Sequence, residues 1–299
     1  MKFQKRSDAK KVLMVISDIH LGAGVFLNGK RNFLEDFHFD RELIEFFGYF
    51  STGEYQQKEV ELIINGDLFD FLAVPFVRFF DDEYWSEAAS LEKLKLIIEA
   101  HREVIAAMDT FLEQENKKIV YLIGNHDGEM VHPRIQEYFL SHINLHRRSR
   151  FKILHPESGE YVPCSGVVIK HGHEYEMAHV FSPAKSVFIG ENKQHYFIPP
   201  WGSYYVTRVI NKFKEERNYV NQIKPIKHFI IRGLVYDTLF TIRIVFATCF
   251  YFFMVRFLFF LSQSRNIKKL FEYIKKEAHL IHDLEEQTRE FFEARPDVA

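Results

Sequence analysis

The side chains in this chain that suit metal-assisted chemistry fall in four short turns, each directly after an apolar run. Residues 12–17 lead to Asp18 and His20. Residues 62–64 lead to Asn65, Gly66 and Asp67, with Asp70 three residues on. Residues 119–123 lead to Gly124, Asn125, His126 and Asp127, and residues 167–170 lead to His171 and His173. Ligand sites of α/β sheets gather outside the carboxyl ends of the strands, so strand-then-turn grammar of this kind places all four turns where a site belongs. Aspartate, histidine and asparagine make a mixed nitrogen and oxygen environment suited to borderline divalent ions, manganese first, with iron(II) or zinc as alternatives. A carboxylate shared by two such ions ~3.5–4 Å apart brings a shared water towards neutral pKa and clamps a phosphoryl group.

Roles follow from position. Asp67 stands alone in its turn and is the natural bridge. Asp18 and His20, two apart, reach one ion from one turn, and Asn125 offers a neutral oxygen to the other. His171 is a further ligand candidate; His173 is a ligand, a substrate contact or a turn residue. His126, adjacent to Asn125 but pointing elsewhere, is free to protonate a leaving oxygen. Asp70 is placed to orient that imidazole, as carboxylates behind functional histidines do, or simply to cap a helix. Taken singly, each of these residues is ordinary turn chemistry; the ordered set points to a metal-centred hydrolase.

The elements that must position these turns are legible as patterns. Besides the four runs, weaker strands are expected near 151–154 and 161–163. Helices are expected around Arg41–Phe50, over 86–115 from the spacing of Leu91, Leu94, Ile97, Ile98, Val104, Ile105, Met108 and Leu112, and around Arg134–Ser141. Pro75 and the stretch Phe79–Trp85 predict an irregular rim. At 299 residues and 47% hydrophobic the chain can bury a full core, and a net charge of −2 argues against a dedicated nucleic-acid binder. Cys164 and Cys249 lack metal-binding spacing and are expected to be inert buried thiols. The first apolar run is too short for a secretion signal, which predicts a cytoplasmic protein.

After residue 180 the composition changes. Residues 196–202 form a turn-rich aromatic linker, and residues 204–234 are basic through Arg208, Lys212, Lys214, Arg217, Lys224, Lys227 and Arg232. Residues 239–261 are apolar apart from Arg243, Arg256 and a few small polar residues, and 265–294 carry a charged amphipathic pattern. Three parts result: a core over 1–180, a hydrophobic and basic helical cap or membrane-associating insertion over 181–264, and an amphipathic helix returning to the core over 265–299. The run 239–261 has the ~20 residues of a membrane span, but its longest uncharged stretch is roughly half that. A spanning helix, a helix buried in the cap and a membrane-surface element all remain open. The surface element is preferred, because basic residues just upstream would meet anionic headgroups while Phe and Leu enter the acyl region.

The motifs Asp18-Ile-His20, Gly66-Asp67, Gly124-Asn-His-Asp127 and His171-Gly-His173 resemble the calcineurin-like metallophosphoesterases over residues 12–173. The resemblance implies a four-layer αββα sandwich, a dinuclear metal site, and hydrolysis of phosphomonoesters, diesters or pyrophosphates by a metal-bound hydroxide. The later segment is similar to the branch near the UDP-diacylglucosamine pyrophosphatases, where an inserted helical cap follows such a histidine turn. Those enzymes carry Arg after the metal-binding Asn, whereas this chain has His126, the general phosphoesterase form. The family also closes its site with a late Gly-His-x-His turn, and nothing after residue 173 supplies one. The expectation is a fragment, the alternative being that His171 and His173 are themselves the closing pair. The function expected is hydrolysis of a phosphate ester or pyrophosphate, lipid-linked if the substrate is amphiphilic, at the inner face of the cytoplasmic membrane and without nucleic acid. The alternative is a catalytically impaired, membrane-associated binding or scaffold module on the same fold.

Overall fold

The computed structural model describes residues 9–75, 82–190, 193–217, 219–220 and 226–262. The expected amphipathic helix over 265–294 and the start of the aromatic rim at Phe79 lie outside them, as do Lys224 and the side chain of Arg256. The chain divides into two compact units, Met1–Glu174 with Ser182–Phe197, and Tyr175–Phe181 with Ile198–Ala299.

The first unit is built on four parallel strands, β1 (Lys11–Ile16), β4 (Glu59–Asn65), β5 (Lys117–Leu122) and β6 (Phe151–Leu154), which lie in that order. Between them come a tiny hairpin, β2 (Phe26–Leu27) and β3 (Lys30–Arg31), and four helices. These are α1 (Asp40–Tyr49) before β4, α2 (Glu87–Ala100) and α3 (Arg102–Phe111) before β5, and α4 (Pro133–Leu140) before β6. Parallel neighbours in chain order put every strand's carboxyl end on one edge, so the first three ligand turns emerge side by side. Strands covered on both faces need continuous apolar sequence, and Val60, Leu62, Ile63 and Ile64 of β4 are all fully buried.

One face of the sheet carries Ile119, Tyr121 and Phe151; there Phe139 of α4 meets Phe151 with ring centroids 5.2 Å apart. The other face carries Ile63, Val120 and Leu122. It is closed by the antiparallel hairpin β7 (Tyr161–Cys164) and β8 (Val167–Ile169) through Ile169 and Tyr161. A second hairpin, β9 (Val187–Ile189) and β10 (His195–Phe197), completes the unit. This is the expected α/β architecture with its parallel sheet; among the described residues the second sheet is the β7–β8 hairpin.

Two expectations change. The helix over 86–115 is two helices, because His101 leaves helical geometry (φ −116°, ψ 31°). Its Nδ1 lies 2.7 Å from Asp40 Oδ1 and its Nε2 3.8 Å from Glu35 Oε2, a tertiary pull that periodicity does not register. Cys164 and Cys249 are exposed rather than buried; Cys164 ends β7 in an alternating half-exposed, exposed pattern.

The second unit is helical: α5 (Trp201–Tyr205), a π-helical stretch (Val206–Ile210), α6 (Asn211–Glu216), α7 (Ile226–Tyr236) and α8 (Thr238–Ser262). Val209, Phe213, Val220, Phe229, Phe240 and Ile244 form its core. Gly233 lets α7 approach α8, since a Cβ there would lie 2.2 Å from Thr241 Oγ1. Arg243 forks onto both carboxylate oxygens of Glu216 at 2.9 Å.

Candidate metal centre

Asp18 and His20 stand just past β1, and both adopt left-handed backbone conformations (φ 55° and 57°), as does Asp67 past β4 (φ 54°). Such conformations cost a β-carbon-bearing residue of order 1–3 kcal/mol and persist only where the surroundings over-determine them. Here the two turns are laced together. His20 N donates to Asp67 O at 2.9 Å, Leu21 N to Leu68 O at 2.9 Å, and Asp70 N to Leu21 O at 2.8 Å. Two glycines make the approach possible. A Cβ on Gly66 would lie 2.3 Å from His171 Nδ1, and one on Gly124 would lie 2.2 Å from Asp67 Oδ1.

Asp67 is the centre of the constellation. Its Oδ1 accepts from His126 N at 2.9 Å. Its Oδ2 lies 3.3 Å from His171 Nε2 and 3.7 Å from His20 Nε2. His171 is aimed by donation from Nδ1 to Asn65 O at 2.7 Å, which leaves Nε2 facing Asp67 and Asn125 Oδ1, the latter at 3.3 Å. His20 Nε2 lies 3.9 Å from Asp18 Oδ1. Asp70 accepts from Ala73 N at 3.1 Å, as a cap does, and its Oδ1 also lies 3.0 Å from His126 Nδ1. His173 is buried with its ring 5.2 Å from that of His171, and it joins neither ligand cluster described next.

Two triplets bring ligand atoms within 4.8 Å of one another: His20, Asp67 and His126; and Asp18, Asp67 and His171. Asp67 belongs to both. The buried carboxylates here draw positive charge. Burial alone would lower the pKa values of His126 and His171, but Asp70 and Asp67 outweigh it for His126, and Asp67 for His171, pushing both up to about 9. Burial likewise opposes ionisation of Asp67 and Asp70, yet the facing imidazoles hold both below the usual carboxylate range. A pair of divalent cations meets that demand more fully than two imidazolium ions. His20 Nδ1 is buried without a hydrogen-bond partner, Asp70 Oδ2 being 3.5 Å away. The donor set therefore fits such ions.

In the sequence Asp127 stands out only as part of its turn, with no role of its own. It is fully buried and accepts from Gly124 N at 2.6 Å, Leu68 N at 2.8 Å and the Tyr121 hydroxyl at 2.5 Å. One carboxylate thus locks the Asn125 turn to the Asp67 turn. Burial, reinforced by the charge of Asp67, pushes it up to about 7. Its place directly after His126 was the available signal. Glu35, which accepts from Gly22 N at 3.2 Å and Gly24 N at 2.5 Å, shapes the loop after His20, and no local pattern announces it.

Residues 11–197 match the family model described as calcineurin-like phosphoesterase, a stretch that runs from β1 to the end of β10. No curated protein and no solved structure matches.

Proposed function

The chain belongs to the calcineurin-like phosphoesterase family, and on that premise we propose that it hydrolyses a phosphate ester or pyrophosphate at the strand-end site. Asp67 would be shared by two divalent ions, with Asp18, His20, Asn125 and His171 supplying the other protein donors, manganese being the first candidate. Two such ions supply an activated water at neutral pH and neutralise the phosphoryl charge. The rest falls to protein groups. His126 donates the proton to the leaving oxygen, and Asp70, 3.0 Å from its Nδ1, fixes the tautomer and direction of that ring. Asp127 and the glycines at 66 and 124 hold the frame. The observation that carries the proposal is the membership of Asp67 in both ligand triplets.

The test is a panel of monoesters, diesters and pyrophosphates assayed on stripped protein with manganese, iron(II) or zinc restored. Turnover dependent on added metal is the expected result. No turnover with any metal would overturn it and favour the binding or scaffold module instead.

We further propose that the substrate is amphiphilic, a lipid-linked pyrophosphate being the form nearest the UDP-diacylglucosamine branch, and that the second unit associates with a membrane. Support comes from α8, whose 25 residues extend about 37 Å at 1.5 Å per residue. Only 22% of Thr238–Val255 is buried, which weighs against the buried-cap reading. Leu239, Ile242, Phe246, Phe250 and Phe253 are exposed on α8, and Val235 and Tyr236 on α7. Flotation with anionic and neutral liposomes, followed by carbonate extraction, separates the alternatives. Salt-sensitive binding that needs anionic lipid marks a surface element, carbonate resistance marks a span, and no lipid association removes the proposal.

A further inference from the structure

Away from the strand-end turns, three more residues converge. A carboxylate oxygen of Glu87 and one ring nitrogen each of His132 and His195 lie within 4.8 Å of one another. All three belong to the first unit, and none takes part in the site described above. We propose that they form a separate metal site, taking one zinc-class divalent ion and pinning hairpin β9–β10 to the starts of α2 and α4.

His132 carries the argument. It is fully buried, and neither of its ring nitrogens has a hydrogen-bond partner. Buried polar groups are nearly always satisfied, so an imidazole with both nitrogens unsatisfied asks for an explanation such as an ion. Its backbone is fixed: it caps α4 just ahead of Pro133, and its amide donates to Glu129 O at 3.2 Å. Burial, with His195 and Lys93 nearby, pushes its pKa down to about 4, so the ring is neutral at pH 7, the form that ligates. The Lys93 ammonium is already engaged, 2.7 Å from Glu129 Oε1 with both groups buried.

The other two ligands are held beside it by backbone. Glu87 opens α2 directly after the N-cap Ser86, whose hydroxyl accepts from Ala89 N at 3.1 Å. Ser86 in turn forms an isolated β-bridge with Tyr196, the neighbour of His195 in β10. Phe197, the last residue of β10, fills the space over Gly128, where a Cβ would lie 2.3 Å from its ring. Two imidazoles and a carboxylate are a donor set that zinc accepts, with bonds of about 2.0–2.1 Å and ligand atoms about 3.3 Å apart in a tetrahedron. The three ligand atoms already lie within 4.8 Å of one another, and two of their side chains, exposed His195 and half-exposed Glu87, are not locked in the core as His132 is. The fourth position is left to water. The ordinary reading, in which Glu87 serves the helix N-terminus and His195 merely lies on the surface, leaves His132 unexplained.

The test uses the full chain in an Asp67→Asn background, with zinc titrated against a chromophoric chelator and metal content measured directly. His195→Gln and Glu87→Gln are the variants, since both side chains reach solvent and neither substitution threatens the core. Each should remove one equivalent of zinc or weaken its binding at least ~10-fold. Zinc at 100 times its dissociation constant should raise Tm by about 5 °C in the parent and not in either variant. The same one-equivalent difference is expected with Asp67 intact, so the result does not depend on the strand-end assignment. If both variants keep the parent's zinc stoichiometry, affinity and thermal shift, the site is overturned.

Discussion

Gly66→Ala perturbs the site through geometry alone. Gly66 has φ 81°, and a Cβ there would lie 2.3 Å from His171 Nδ1 and 2.4 Å from its Cγ. The left-handed backbone costs an alanine about 1–2 kcal/mol. The imidazole must also retreat by about 1 Å to reach ordinary contact, which breaks its 2.7 Å bond to Asn65 O, a further loss of about 1 kcal/mol. The sum, about 2–3 kcal/mol, corresponds to a fall in Tm of about 5–10 °C. Because His171 faces Asp67 and Asn125, the same displacement should lower metal content and cost about 100-fold in turnover. Gly166 supplies the control. It has the same φ of 81° but nothing within 4 Å of the added Cβ, so Gly166→Ala should show the backbone cost only, with metal and activity retained. Thermal melts, metal analysis and phosphoester turnover on both variants give the comparison. Gly66→Ala protein with metal content and turnover matching Gly166→Ala would refute the claim that Gly66 exists to admit His171.

Two other outcomes follow from the site. His126→Ala should lose about 10²–10⁴-fold on alkyl phosphates and far less on p-nitrophenyl phosphates, whose leaving group needs no proton, with metal content kept; equal losses would make His126 a positioning residue. The pH dependence has a definite sign. His126 and His171 lie above the ordinary histidine value of 6.5, at about 9, so their contribution to the stability of metal-free protein is fully present below pH 6.5 and lost as pH rises through 9. Metal binding must expel the His171 proton, so affinity should fall about tenfold per pH unit below 9. A flat Tm between pH 6.5 and 9, or calorimetry at pH 7 with no proton release on metal binding, would contradict this.

What the sequence reveals and what it conceals divide along physical lines. The four ligand turns are legible because each follows an apolar run that stops at Asp, Asn or His. The clearest case is β4, a parallel strand buried on both faces and so written as continuous apolar sequence, whereas β8, before His171, is an antiparallel hairpin strand. The apolar stretch in α8 is legible from composition alone, since few charged residues interrupt it. His101, which interrupts the helix expected over 86–115, is not, since it is drawn aside by Asp40 and Glu35 from elsewhere in the chain. Asp127 and Glu35 act through backbone amides brought near by folding. Which way Cys164 and Cys249 point, and the isolation of the His132 ring, are likewise tertiary facts with no local pattern behind them.

The centre of the account is one carboxylate, Asp67, common to both ligand triplets. The direct measurement is manganese content and phosphoester turnover of the parent protein beside Asp67→Asn. The account predicts two equivalents of manganese at the strand-end site per parent chain, beyond any ion held by Glu87, His132 and His195, with most of that manganese and nearly all turnover gone from the variant. Asp67→Asn protein that keeps two equivalents and normal turnover would contradict it.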